Sequence, residues 1–468
     1  MAIKLKKITD WLLLIYIFLL TWQAVYIFDE KIINGFKSQY LTGQLYASEI
    51  ILWLAAVLCL INLAVEHRPN LANLFKKIFK PAESQPFFSA KRLFILALWS
   101  CLAYAGLSIA WSADRSAGFY LWLHFLEGAA LLMMILTVRL SRIKILWAIM
   151  LSAGLQGGLA IRQFLTQTMP AGKWLGLAYH SAANPGDIVI ETVSGRWLRA
   201  YGALAHPNIL GGCLLLGLIA GFWLGLHYLR SAAKNSNRTR LKFLAILAIN
   251  LIIAAGLFFS FSRSAWLAGV LALIAALFYS LNRWRQKDCR SLPEKTQLSI
   301  LILSPLILFS LLAVIYSPLV TTRTDFSNRL EAVSGQDRIS QIKESLAIIK
   351  KRPVLGVGLN NYTIALAQTR SDQPAYLLQP VHNIYLLIWA ELGLIGLAAF
   401  GWLLLAAFNL FKYQSRQLQL FLPLAAFMII SLFDHYFWTQ YAGIIMIWLS
   451  LTLVLNNDNL DIQEIKVP

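Results

Sequence analysis

The chain has 468 residues, 58% of them hydrophobic and only 13% charged, with a mean hydropathy of +0.63 and a formal net charge of +19. These values exclude an ordinary soluble domain and indicate a polytopic membrane protein. Apolar runs of about 20 residues, each enough to cross roughly 30 Å of hydrocarbon as a helix, recur along the chain.

The expected fold is all-α, with about twelve transmembrane helices near 8–28, 46–65, 93–112, 119–138, 143–163, 207–229, 242–261, 264–281, 297–316, 383–408, 418–435 and 438–455. The basic start before the first run has the look of a secretion signal. The run is too long for one, however, and Phe28, Asp29 and Glu30 follow it where a small-residue cleavage site would stand, so an anchor is expected. Lys4, Lys6 and Lys7 precede the first span, Arg68, Lys76, Lys77 and Lys80 follow the second, and Arg139, Arg142 and Lys144 follow the fourth. Because Lys and Arg collect in short cytosolic loops, this alternation predicts that both termini are cytoplasmic.

Three longer segments lie between spans. In the first, 66–92, Phe75, Ile78 and Phe79 mix with Lys76, Lys77 and Lys80 ahead of Pro81, a pattern suited to lying on membrane lipids. The second, about 166–205, faces outward; alternation over 187–193, followed by Gly195 to Arg199, predicts a short hairpin. The third, 317–381, is a large outer loop with a short amphipathic helix. Asp337 is expected to cap that helix, Ile339, Ile342, Leu346 and Ile349 to form an apolar face that docks, and Lys350, Lys351 and Arg352 to suit the C-terminal dipole before Pro353 and Gly356 end it. Cys59, Cys101 and Cys213 fall inside spans and Cys289 in a cytosolic loop, so no disulfide framework is expected. The spacing of ligand-type residues predicts no metal site.

The candidate chemistry gathers at the outer ends of the spans. Arg263 interrupts a long apolar region, where an ionisable group either snorkels to the interface or contacts a ligand. Arg199 stands just before His206 and Asn208, and Arg338 lies beside the expected cap of the loop helix. Several arginines converging on one membrane face can hold a polyvalent anion. His382 and Asn383 open the tenth span, where an imidazole at the surface could serve as a base near neutral pH. Glu391, nine residues further on, falls about 180° around the helix. It is therefore expected to pack with Gly393 and Gly396, away from His382. His206, Asp434 and His435 are reserve candidates.

At this point the chain resembles the O-antigen ligase and lipid-linked glycan polymerase superfamily of bacterial inner-membrane glycosyltransferases. The resemblance rests on Arg199-Ala-Tyr-Gly-Ala-Leu-Ala-His-Pro-Asn208, Ser260-Phe-Ser-Arg-Ser-Ala-Trp266, Asp337-Arg338 leading to Pro353-Val-Leu-Gly-Val-Gly358, and His382-Asn-Ile-Tyr-Leu with Glu391-Leu-Gly. It covers most of 1–468 as one integral membrane domain, with the motifs concentrated in 199–400. It implies transfer of a glycan from undecaprenyl pyrophosphate to an acceptor hydroxyl at an outward-facing cavity, on the periplasmic side, without nucleotide, metal or other cofactor. By motif, Arg199, Arg263 and Arg338 would bind the pyrophosphate, His382 would act as base on the acceptor or orient it, and Asn383 would position the ring. In-line displacement would invert the anomeric centre.

The family divides by acceptor into lipid A core for ligases, another lipid-linked glycan for polymerases, and a protein hydroxyl for O-oligosaccharyltransferases. A single large loop before the tenth span favours the ligase reading. A different class, a multi-span transporter or lipid-binding scaffold, predicts internal repeats, paired broken spans and ionisable residues through the membrane depth. The chain has no visible repeat, and Glu127 and Glu391 are its main ionisable residues at such depth. No nucleic-acid partner is expected.

Overall fold

Long apolar stretches whose backbone must satisfy itself in lipid form helices, and helices dominate the computed structural model, which describes residues 2–66, 86–231, 237–285, 292–325, 327–413 and 418–456. In chain order they are α1 (Ala2–Phe18), α2 (Ala47–Glu66), α3 (Pro86–Ser108), α4 (Arg115–Val138), α5 (Arg142–Thr166), α6 (Pro207–Ser231), α7 (Asn237–Phe259), α8 (Arg263–Arg285), α9 (Leu292–Ile315), α10 (Ser317–Thr324), α11 (Arg329–Lys351), α12 (Tyr362–Ala367), α13 (Ile384–Tyr413), α14 (Leu418–Ile430), α15 (Tyr436–Thr439) and α16 (Tyr441–Leu455). Among the described residues nine are long and apolar enough to cross a membrane, namely α2 to α9 and α13. The remaining three expected places carry shorter helices, α1, α14 and α16. The surface element expected at 75–81 lies outside the described residues.

Helix α6 is the most buried span and packs closely with α5 and α7. Small residues let α5 and α7 also meet directly: a Cβ on Gly157 of α5 would strike the Ile252 carbonyl oxygen of α7, and one on Gly256 would strike Gly157 itself.

The first expected span ends early. Helix α1 stops at Phe18, and Val25–Asp29 instead forms a strand paired with Gly43–Tyr46, because this β-branched and aromatic run suits a ribbon. Within it Ile32–Ile33 pairs with Phe36–Lys37 around Asn34 and Gly35, both at positive φ, the geometry of a two-residue Asn-Gly turn. The hairpin expected in the second segment is present, with Val189–Thr192 antiparallel to Gly195–Leu198.

The loop helix differs from expectation in start and facing. It is α11, begun nine residues earlier, with Asn328 accepting from the Leu330 amide as its cap, so Asp337 sits in the helix interior. Ile339, Ile342 and Leu346 are 58%, 42% and 47% exposed, so that expected apolar face does not dock. The docked face carries Glu331, Arg338, Gln341, Ser345, Ile348 and Ile349, which fall within about 100° on a helical wheel. Its polar members point at the site described below.

Segments joining the helices meet at one end of the bundle. Asn34 Nδ2 donates to the carbonyls of Arg370 (3.0 Å) and Gln373 (2.7 Å), Asn328 Nδ2 to that of Glu191 (3.1 Å), and Asn360 Nδ2 to that of Tyr40 (3.0 Å). At this loop end α13 is interrupted at Gly393, whose φ of 68° and ψ of −170° only glycine adopts readily. The stretch following α11 fills the gap. Val357 and Gly358 amides donate to the Ala390 and Glu391 carbonyls (3.0 and 2.8 Å), and the Leu394 amide donates to that of Pro353 (2.9 Å). Gly356, at φ 70°, faces Gly393 so closely that a Cβ on either would collide with the opposite backbone. Gly393→Ala and Gly356→Ala are each expected to destabilise the protein by about 2 kcal/mol or more, read as a lowered thermal midpoint in detergent. Gly401→Ala, with open space around its Cβ, serves as the neutral control.

Candidate active site

Between α7 and α8 the chain turns through Ser260, Phe261 and Ser262. Phe261 has φ 47°, a strained conformation for a bulky residue. The turn presents two carbonyls to two arginines: Ser260 O accepts from Arg199 Nε (2.9 Å), and Phe261 O accepts from Arg323 Nη2 (3.2 Å). Arg323 lies in the last turn of α10, and its own carbonyl accepts from Arg263 Nη1 (3.0 Å) at the start of α8. Both side chains then share one carboxylate on α11, with Arg263 Nη1 3.0 Å from Glu331 Oε2 and Arg323 Nη1 bonded to Glu331 Oε1. Neither Arg323 nor Glu331 stood among the sequence candidates.

A second network starts from Arg199, whose Nη2 donates to Asn208 Oδ1 (2.7 Å), while Asn208 Nδ2 donates to Asp434 Oδ2 (2.7 Å). The other oxygen of Asp434 caps the His435 amide (2.8 Å). His382, His435 and His206 all lie close enough to Asp434 to interact electrostatically with it. Burial raises the Asp434 carboxyl, but these imidazoles and Asn208 outweigh it and hold the group below the usual carboxylate range. Asp434 is therefore an anion.

The three histidines differ in their hydrogen bonding. His382 Nδ1 donates to Gln341 Oε1 on α11 (2.7 Å), which assigns the proton to Nδ1 and leaves Nε2 with its lone pair. His435 Nδ1 is bonded likewise to Thr439 Oγ1 (2.8 Å), and its ring meets that of His382 edge-on at 5.0 Å. His206 uses Nδ1 to accept from the Asn208 amide (3.0 Å), a structural role at the entry to α6. Burial depresses all three, His206 and His435 to about 3. His382 is lowered from the ordinary histidine value by burial and by Arg338, against the opposing pull of Asp434 and Asp337, so it is neutral at pH 7.

Arg338 lies on α11 one turn from Gln341, where burial and Arg263 lower its proton affinity while Asp434 and Glu331 raise it. A guanidinium stays charged under such pressure. Among the described residues no carboxylate forms a salt bridge with it or with Arg199. Asn383, by contrast, caps α13: its Oδ1 accepts from the Leu386 amide (3.0 Å) and its Nδ2 donates to the Leu432 carbonyl (3.2 Å), tying the helix to the turn before Asp434. Glu391 accepts from Trp438 Nε1 (2.9 Å), away from His382 as expected.

All the sequence candidates thus meet at the loop end, joined by Arg323, Glu331, Asn208 and Gln341, which sequence reasoning missed as site residues. A usable signal was the polar side of α11, where Glu331, Arg338 and Gln341 recur at helical spacing. His382, Asp434 and His435 also offer ligand atoms within 4.8 Å of one another, although both Asp434 oxygens already accept hydrogen bonds.

Among the described residues the charge inventory is unbalanced, with four guanidinium groups, Arg199, Arg263, Arg323 and Arg338, facing two buried carboxylates, Glu331 and Asp434. Removing Glu331 should therefore be costly. Glu331→Ala is expected to lose about 3 kcal/mol in denaturation, since it strands Arg323 beside Arg263. Arg338→Ala, which breaks no ion pair, should stay within about 1 kcal/mol of the parent.

Residues 248–401 match the family model described as O-antigen ligase (Wzy_C), an interval that holds Arg263, Arg338, His382 and Asn383 and leaves Arg199, His206 and Asp434 outside. No curated protein matches the chain.

Proposed function

We propose that the chain belongs with the O-antigen ligase family, whose model residues 248–401 match, and that it transfers a glycan from a polyprenyl diphosphate to an acceptor hydroxyl. The observation that carries the reading is a surplus of two guanidinium charges, among two buried arginines, Arg199 and Arg323, and two half-buried ones, Arg263 and Arg338, beside a neutral imidazole. A diphosphate supplies the missing anion, and an arginine fork recognises its oxygens.

His382 Nε2 takes the proton of the acceptor hydroxyl as its oxygen attacks the anomeric carbon. The bond from that carbon to the diphosphate oxygen breaks, its electrons leave with the diphosphate, and inversion follows from attack opposite the leaving group. Arg338 and Arg263, with the N-terminus of α8 behind Arg263, stabilise the charge that grows on the leaving group. Asp434 steadies the imidazolium formed on His382, as a buried carboxylate does in other base-catalysed transfers. Arg199, bonded to Ser260 and Asn208 through two of its three nitrogens, contributes positive field from behind and holds Asp434 in place through Asn208.

The lipid part of such a donor has a complementary surface. An apolar groove of about 180 Å³ runs beside α8, lined by Phe222, Trp266, Val270, Leu273 and Phe309 among others. Trp266 to Leu273 lie one to three turns below Arg263, so a head group at the arginines puts the chain of its carrier at the groove mouth. The proposed setting is the bacterial inner membrane, with both termini cytoplasmic and the loop end periplasmic. The single large loop 317–381 inclines the acceptor toward a lipid A core.

Purified protein given polyprenyl-diphosphate glycan and acceptor should form product. His382→Ala should lower the rate at least about 100-fold while retaining donor binding, and Arg338→Ala should weaken donor binding and transfer together. Full activity in His382→Ala removes the base from this scheme. The pH profile gives a second measurement. A base with a depressed value keeps its lone pair as pH falls through 6.5, so the acid limb of kcat/KM is expected below that value. Asp434→Asn, which removes a group that raises His382, should move the limb lower still.

A further inference from the structure

Away from these residues a second set of ionisable side chains is buried between α2 and α4. Glu49, in the first turn of α2, reaches back to accept from the Tyr46 amide (3.0 Å). Glu127 lies mid-way along α4 and accepts from Trp53 Nε1 on its Oε1 (2.7 Å). Its other oxygen, Oε2, is fully buried without a well-formed donor, in a residue only 8% exposed, and the Glu49 and Glu127 carboxyls lie within hydrogen-bonding reach of each other. His124 stands one turn earlier on the same face of α4. The three offer ligand atoms within 4.8 Å of one another.

We propose that Glu49, His124 and Glu127 bind one divalent cation of the Zn²⁺ or Mn²⁺ class. Two carboxylates buried side by side need a counter-charge, and among the described residues neither has a lysine or arginine partner. His124 Nε2 lies 3.7 Å from Glu49 Oε1, too long for a hydrogen bond. Two ligands on a tetrahedral ion at about 2.1 Å stand roughly 3.4 Å apart, so this separation suits a bridging metal better than direct contact. One imidazole with two carboxylates is a nitrogen and oxygen set suited to Zn²⁺ or Mn²⁺.

The surroundings hold the ligands in place. The His124 ring meets Tyr441 edge-on at 4.9 Å, Tyr441 stacks on Tyr46 at 4.8 Å, and the Tyr441 hydroxyl bonds that of Tyr16 (2.7 Å). A cation here would join α2 and α4 to the start of α16, just beyond the segment that carries Asp434 and His435. Local spacing cannot reveal the set, since Glu49 belongs to a different helix from the other two.

The full chain, purified in detergent, stripped with a chelator and exposed to Zn²⁺ or Mn²⁺, should retain about one metal per chain by elemental mass spectrometry and gain thermal stability. Pulsed electron paramagnetic resonance on the Mn²⁺ form of the unsubstituted protein should detect one imidazole nitrogen. Glu127→Gln, which keeps an acceptor for Trp53, and His124→Ala should each lower occupancy at least about tenfold, whereas His382→Ala should leave it unchanged. Three results overturn the proposal: no metal retained, which leaves a shared proton as the counter-charge; two coupled nitrogens, which assigns the ion to His382 and His435; or occupancy unaltered in both Glu127→Gln and His124→Ala. The spectrum decides the matter even if a variant fails to fold.

Discussion

Four guanidinium groups drawn together at the edge of an apolar bundle, with two buried carboxylates to offset them, set the terms for the whole loop end. A cation at low dielectric demands either a counter-ion or dense hydrogen bonding. The protein supplies the second through backbone carbonyls, those of Ser260, Phe261 and Arg323, and the first only in part through Glu331. Phe261 tolerates its strained backbone because its carbonyl is fixed by Arg323. The arrangement resists collapse around its own charge and leaves Arg338 facing outward from α11 toward the histidines.

Much of this was legible in the chain, for identifiable reasons. Spans announce themselves through apolar length, because lipid leaves the backbone no alternative to the helix. The residues Arg263 and His382 stood out because charge or imidazole at the mouth of a span is conspicuous. Glu331 and Arg323 did not, since both sit in a polar stretch where ionisable residues are ordinary, and only the folded chain puts them under Arg263. The facing of α11 misled for a related reason: Ile339, Ile342 and Leu346 form the more apolar stripe, yet the other side docks because the site needs Arg338 and Gln341. Asn34-Gly35 was a readable turn signal between the first two expected spans, in a stretch for which no strand was expected.

Two motifs acquire a meaning that no local pattern could give them. The glycine-rich stretch after α11 and Glu391-Leu-Gly393 are partners, one replacing the hydrogen bonds that the other forgoes. The helix that starts just after His382 is thereby fastened to the loop that carries Arg338, so imidazole and guanidinium are held in register by backbone, independent of side-chain chemistry.

The thread of bonds from Ser260 through Arg199 and Asn208 to Asp434 draws on residues far apart in the order of synthesis. Asn208 enters the membrane with α6, long before the ribosome reaches Asp434. Until then the earlier helices wait with an incompletely answered positive field, and the histidines gain their fixed anion only when the segment carrying Asp434 joins them. The charge balance of this loop end is thus completed across a long stretch of chain, by a residue made 226 positions after its partner Asn208.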